Sequence, residues 1–201
     1  MRKWIISLMP LMLLSIWAVK YYSLNHGFKV RYQNERKDYQ THEKVTFDGS
    51  VNVLGNIHEG YSISLENAYV IEKEKLLADL NKQSSESETA ERCIVLDFSI
   101  YNDESDNDFN LAGLYIMGID WFSPFSYKTT EYLNESSFDN FSPSGRITIP
   151  KGENILVSVA YDIYQTNFSP KAWNALEEQD AWVWLTCRPL DQRIKVNFES
   201  A

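Results

Sequence analysis

Acid–base and nucleophilic chemistry need a base within reach of the group it activates. The three histidines of this chain, His26, His42 and His58, all precede the region where strong strand periodicity begins at Tyr61. A histidine-based triad is therefore not expected. Two carboxylates, Asp97 and Asp162, sit in expected strands and would be the pair for a small extracellular hydrolase of the glycosidase type. Asp97 lies between core-facing Leu96 and Phe98, so the simpler reading makes both carboxylates solvent-facing positions of alternating strands. Asp103, Glu104, Asp106 and Asp108 form an acidic loop of the sort that offers oxygen ligands to calcium. Counted from Asp106, however, the sixth position is Leu111 rather than glycine and the twelfth is Met117 rather than glutamate. A solvated loop is the expectation, and no catalytic, cofactor-binding or metal site is assigned.

Two further sets of residues invite chemistry or recognition. Cys93 and Cys187 each fall in an expected strand, outside any C-x-x-C or metal-like cluster. A single disulfide between them would close a long loop and contribute about 4 to 5 kcal/mol. Two buried free thiols fit the pattern equally. Trp121, Phe122, Phe125 and Tyr127 crowd around Pro124 and would present aromatic platforms to a sugar, peptide or protein partner. The competing reading lets these rings close one end of the core. Asn134, Asn140 and Asn167 each head an N-x-S sequon, which matters only where the host glycosylates.

At the N-terminus, Trp4 to Val19 is an uncharged, mostly apolar run behind Arg2 and Lys3. This is the pattern of a signal sequence or signal anchor. As a helix it covers roughly 24 Å against a hydrocarbon core of about 30 Å, and Lys20, Tyr21 and Tyr22 extend it. The best cleavage position, behind Ala18, has bulky Trp17 beside it, and no Cys follows for lipid attachment. The expectation is an uncleaved single-pass anchor over residues 1–22 with the C-terminal domain extracytoplasmic. The positive residues after the run, Lys20, Lys29, Arg31, Arg36 and Lys37, leave a reversed, cytoplasmic orientation as the alternative. A net charge of −9, from 28 acidic against 19 basic residues, argues against a nucleic-acid partner.

The elements that must position these residues are mostly strands. Residues 23–59 read as a polar stalk with a first strand near Val51 to Leu54. Residues 60–201 read as a domain of alternating segments. Tyr61, Ile63, Leu65, Tyr69 and Ile71 share one expected face, and Ile94, Leu96, Phe98 and Ile100 another. Leu111 to Asp120 predicts a strand interrupted by Gly113 and Gly118. Asn154 to Tyr164, Ala181 to Cys187 and Arg193 to Phe198 predict three more. Glu72 to Asn81 predicts a short helix, and Ser169 with Pro170 predicts the cap of another. The class is all-β, an antiparallel β-sandwich with one or two short helices behind a transmembrane helix.

The order of GYSISLENAYVI, CIVLDFSIYNDESDNDFNL, IPKGENILVSVAYDI and WLTCRPLDQRIKVNF resembles a family over roughly residues 60–198. The blocks are similar to immunoglobulin-like extracytoplasmic domains of unknown function in Gram-positive bacteria, related to small immunoprotective extracellular antigens. The matching features are the turn Asn102 to Asn110 and the Pro150, Gly152, Glu153 turn ahead of a long strand. The resemblance implies an immunoglobulin-like fold, export and a surface or accessory role, and it brings no catalytic residues. The expected function is non-catalytic: a membrane-anchored binding or accessory protein recognising a protein, peptide or envelope component. A membrane-bound immunity or inhibitor protein against a secreted toxin is the alternative, its negative charge complementing a basic partner.

Overall fold

A computed structural model describes residues 35–83, 90–135 and 144–199, together with the separate positions Ser15, Trp17, Lys20 and Tyr21. The chain divides into two units, Met1–Glu35 and Arg36–Ala201. In the first, the four separate residues are helical and exposed, and the Trp17 and Tyr21 rings stack at 5.2 Å. The rest of the expected anchor, residues 1–22, lies outside the described residues, among which no helix is long and apolar enough to cross a membrane.

The second unit runs β1 (Glu35–Tyr39), β2 (Val45–Thr46), β3 (Tyr61–Glu72), α1 (Lys73–Asp79), β4 (Arg92–Asn102), β5 (Phe109–Asn110), β6 (Tyr115–Met117) and β7 (Phe122–Ser123). It continues with α2 (Tyr127–Asn134), β8 (Arg146–Ile147), β9 (Asn154–Ile163), α3 (Pro170–Asn174), β10 (Ala181–Trp184) and β11 (Leu190–Val196). One sheet has the order β2-β3-β4-β9 and a second β1-β11-β10-β6-β7, with a small β5-β8 ribbon beside them. The pairs β2–β3, β3–β4, β4–β9, β5–β8, β6–β7, β6–β10 and β10–β11 are antiparallel. β1 instead runs alongside β11 in parallel, because Arg36 pairs with Asp191 and Asp38 with Arg193, advancing together along both strands. Among its described residues this unit is mostly β and sandwich-like, with three short α-helices.

The core lies between the two large sheets. Ile63, Leu65, Ile94, Leu96, Phe98, Val157, Val159 and Tyr161 meet Ile116, Val183, Ile194 and Val196 in one cluster. The first sheet is buried on its other face as well, where Cys93, Val95 and Ala160 pack with Leu76 of α1 and Leu133 of α2. A bulge between Leu65 and Asn67 corrects the expected face of β3. One extra residue flips the side-chain parity, so Ala68 and Val70 continue the inter-sheet core while Tyr69 and Ile71 turn to the helical layer.

Residues 36–59 correct the expected stalk, because the folded unit starts at Arg36. Instead of a strand at Val51 to Leu54, Val51 forms isolated bridges to Ile57 and Arg188. The expected strand over Leu111 to Asp120 shrinks to β6 because Asn110 caps a 3₁₀ turn at Leu111–Gly113, its side chain accepting from the Ala112 amide. The Ser169 cap forms as expected, accepting from the Ala172 amide at the start of α3. Of the two readings of the cysteines, the structure has the unbridged one: Cys93 is buried, Cys187 is half-buried, and no disulfide joins them. Cys93 faces the helical layer, whereas Cys187 follows β10 in the opposite sheet with its amide bonded to the Val51 carbonyl.

Candidate binding groove at a sheet edge

β7 is the outer strand of the five-stranded sheet and β9 the outer strand of the other. They meet where the Ser123 hydroxyl donates to the Asp162 carbonyl at 3.0 Å. Pro124 follows directly; lacking an N–H, it cannot continue the ladder. Between the two edges opens a groove of about 400 Å³, lined by Phe122, Pro124, Phe125, Asp162, Tyr164 and Phe168 among others. Phe122 is 61% exposed, and Tyr164 also reaches solvent.

The four expected aromatic residues separate. Strand alternation sends Phe122 outward and its neighbour Trp121 inward. Trp121 is only 6% exposed, and Phe168 tilts against it with ring centroids 5.4 Å apart. That corrects its assignment to a binding surface: Trp121 is a core residue that holds one wall of the groove. Phe125 lines the groove and packs partly on the core. Tyr127, half-buried, sits edge-on to Phe125 at 6.4 Å on α2 and is not among the lining residues. Tyr164 and Phe168 complete the wall from the segment after β9, some forty residues beyond Phe122, so no local sequence spacing links them to it.

The groove has a polar floor. Asp162 Oδ1 accepts from the buried Lys73 ammonium at 2.7 Å, and Asp162 Oδ2 accepts from Ser126 Oγ at 2.6 Å. Lys73 also donates to Thr129 Oγ1, and Thr129 Oγ1 stands 3.2 Å from both Asp162 oxygens. This network ties α1, the start of α2 and the end of β9 together. Ser126 gives its proton to a carboxylate that is already paired with an ammonium, and no imidazole joins them. The arrangement is one of support rather than nucleophile activation.

The carboxylates Asp97 and Asp162 do not converge. Asp97 pairs across the ladder with Ser158 and Asp162 with Cys93, four positions apart along β4 and β9. At the usual strand rise that is about 13 Å, beyond the carboxylate separations of either glycosidase geometry. The acidic loop is held by protein partners: Asp103 by Ser62 and Lys44, Asp106 by Lys151 at 2.7 Å and Asp108 by Thr148 at 2.7 Å. Among the described residues no group of three or more His, Cys, Asp or Glu side chains is placed to hold a metal. His26 lies outside the described residues, and His42 is exposed beside Glu66 at 3.4 Å. His58 is buried and stacked on Phe109 at 4.2 Å, and burial pushes its imidazole down to about 4. Burial likewise pushes the Cys93 thiol far up, which keeps it unreactive.

Of the sequons, Asn134 is buried, its amide donating to the carbonyls of Thr130 at 2.6 Å and Ser158 at 2.7 Å. Asn140 lies outside the described residues, and Asn167 is exposed in the turn after β9.

A β-sandwich-like domain with an aromatic groove between two sheet edges defines the class. The chain belongs to the DUF5028 family, a domain of unknown function whose profile matches residues 36–192. No curated protein matches it. Among solved structures it is similar to a functionally unknown protein from Listeria monocytogenes EGD-e, at 14% identity and a TM-score of 0.45, covering 79% of this chain and 89% of that one. It is also similar to a chain described as a candidate lipoprotein from Staphylococcus aureus subsp. aureus NCTC 8325, at 10% identity and a TM-score of 0.41, covering 78% and 92% respectively.

Proposed function

We propose that this is a non-catalytic, membrane-anchored extracytoplasmic protein. Its immunoglobulin-like domain recognises a protein, peptide or envelope component through the groove at Phe122, Phe125 and Tyr164. The observation that carries the reading is the groove itself: a large aromatic ring more than half exposed at a sheet edge, over a polar floor whose hydrogen bonds are already made. Aromatic anchors of this kind dominate the binding energy of interfaces. The groove's position supports the same reading. Arg36, where the domain begins, pairs with Asp191 at one end of the sheets, while Asp162 and Tyr164 lie at the other. A tether at Arg36 leaves the groove free to meet a partner.

The immunoglobulin-like reading is supported by strand order. β3, β4 and β9 follow the A-B-E order of such a sandwich, and β11, β10 and β6 the G-F-C order. Anchoring and export are supported by the charged-then-apolar run at Arg2 to Val19.

The test is partner capture by the full chain from host membrane and secreted fractions, compared with Phe122→Ala and Tyr164→Ala. Each truncation should weaken the captured partner's affinity by about 2 kcal/mol, roughly thirtyfold, with an unchanged unfolding midpoint. Unchanged affinity in both folded variants overturns the groove as the binding site.

A further inference from the structure

The loop between β2 and β3 displays three large aliphatic side chains to solvent: Val53 at 55%, Leu54 at 59% and Ile57 at 53% exposure. We propose that this loop inserts into the surface of the lipid bilayer that holds the N-terminal segment, making a second, shallow membrane contact. The proposal rests on the membrane-anchored reading above.

The loop is built to hold these groups outward. Asn52, buried at its base, accepts from the Leu54 amide at 2.9 Å and the Asn56 amide at 3.0 Å through Oδ1. Its backbone amide donates to the Asn56 carbonyl at 2.9 Å, and Gly55 closes the turn at φ +78°. The Asn52 amide fits only because residue 113 is glycine, since a Cβ there would fall 1.6 Å from Nδ2. With the backbone fixed in this way, Val53 and Leu54 have no route to the core, and the apolar display is a stable property of the loop.

Its position selects the occupant. Val51 bridges Arg188 in the turn between β10 and β11, and Asp191 just beyond pairs with Arg36, the first residue of the folded unit. The loop therefore stands at the end of the domain from which the chain continues back to the apolar run Trp4 to Val19. On the anchored reading, a lipid surface is the apolar phase to which the chain is tied on the N-terminal side of Arg36. The flanking charges are mostly acidic: exposed Arg188 and Arg146 stand against exposed Asp48, Glu59, Asp106 and Asp108, the last two lining a pocket with Ile57. Contact thus depends on apolar insertion and not on salt-sensitive attraction to anionic headgroups.

The experiment uses the full chain reconstituted in vesicles of phosphatidylcholine and phosphatidylglycerol. On a Cys187→Ser background, with Cys93 buried, an environment-sensitive fluorophore is attached through Leu54→Cys or, at the opposite end, through Ile119→Cys. Spin-labelled lipids should quench the label at position 54 at least about threefold more than the one at 119, at low and high salt alike. Equal quenching at the two positions, in chains that float with the vesicles, overturns the proposal while leaving the anchor intact. A label at 54 shielded from aqueous iodide yet untouched by lipid quenchers also overturns it, by assigning the loop to a second copy or another protein. Chains that fail to float overturn the anchored reading, and this inference falls with it.

Discussion

At the scale of single residues, the molecule holds its polar and aromatic groups by close packing, and two positions carry sharp consequences. His58 is buried and neutral, its imidazole held down to about 4 against an ordinary 6.5. Between those values the unfolded chain takes up a proton that the folded chain does not. Stability from this group is therefore complete above pH 6.5 and declines as the pH falls towards about 4, by about 3 kcal/mol in all. In urea titrations at pH 7 and pH 4.5, His58→Phe should remove much of the wild-type loss over this interval; an equal loss in both proteins would show that His58 does not carry it. Gly118 is the second position. A Cβ there would meet Trp121 Nε1 at 2.2 Å and Cε2 at 2.5 Å, and the indole is already wedged against Phe168. Gly118→Ala should cost about 1 to 3 kcal/mol and also disturb the groove wall, read as a lower urea midpoint together with weaker partner capture. The sequence showed an aromatic cluster here. Which ring is buried depends on strand parity at Trp121 and Phe122, and that is settled only once β7 is placed.

At the scale of elements, α2 explains both what was legible and what was not. β9 is an outer strand with polar backbone groups that need partners, and α2 supplies them. The Ser126 amide donates to the Ala160 carbonyl, Thr130 Oγ1 accepts from the Ala160 amide, and Asn134 bonds both the amide and the carbonyl of Ser158. The inward face of this helix is thus Thr129, Thr130 and Asn134, so it shows no apolar period from which the sequence would predict a helix. Asn134→Ala should leave two backbone groups of Ser158 unsatisfied and cost about 1 to 3 kcal/mol. Hydrogen exchange localises the effect: the Ser158 amide should lose protection before amides of β4 do, and uniform loss across the sheet would contradict the edge-capping role. β1 escaped notice for a related reason. Glu35 to Asp38 are exposed, and the strand is held by the ion pairs of Arg36 and Arg193 rather than by alternating apolar residues. Arg193 also lies over Trp182 and Trp184, and holds the Asp38 carboxyl below its ordinary range. By contrast, β4 spans Arg92–Asn102 as its alternation predicts, and β9 matches to within a residue, because both bury a regular apolar face.

At the scale of the whole molecule, the domain is polar in its organisation: the chain enters at Arg36 beside an apolar loop, and the aromatic groove opens at the opposite end. The carboxylates Asp97 and Asp162 stand apart, and buried Lys73 with the half-buried Asp162 and Ser126 joins α1, α2 and β9. Composition and the four strand blocks carried the fold class. The groove was only half legible, because Phe122 and Phe125 lie close in sequence while Tyr164, Phe168 and Asp162 come from the far end of β9 and the turn beyond it. The central claim is that this groove meets a partner outside the membrane. The most direct measurement is photo-crosslinking in the host, with the full chain carrying Phe122→p-benzoylphenylalanine in the groove or Leu156→p-benzoylphenylalanine at an exposed position elsewhere on β9. A defined adduct at position 122 that is absent at 156 is the predicted result. No adduct at 122, or the same adduct at both positions, would contradict it.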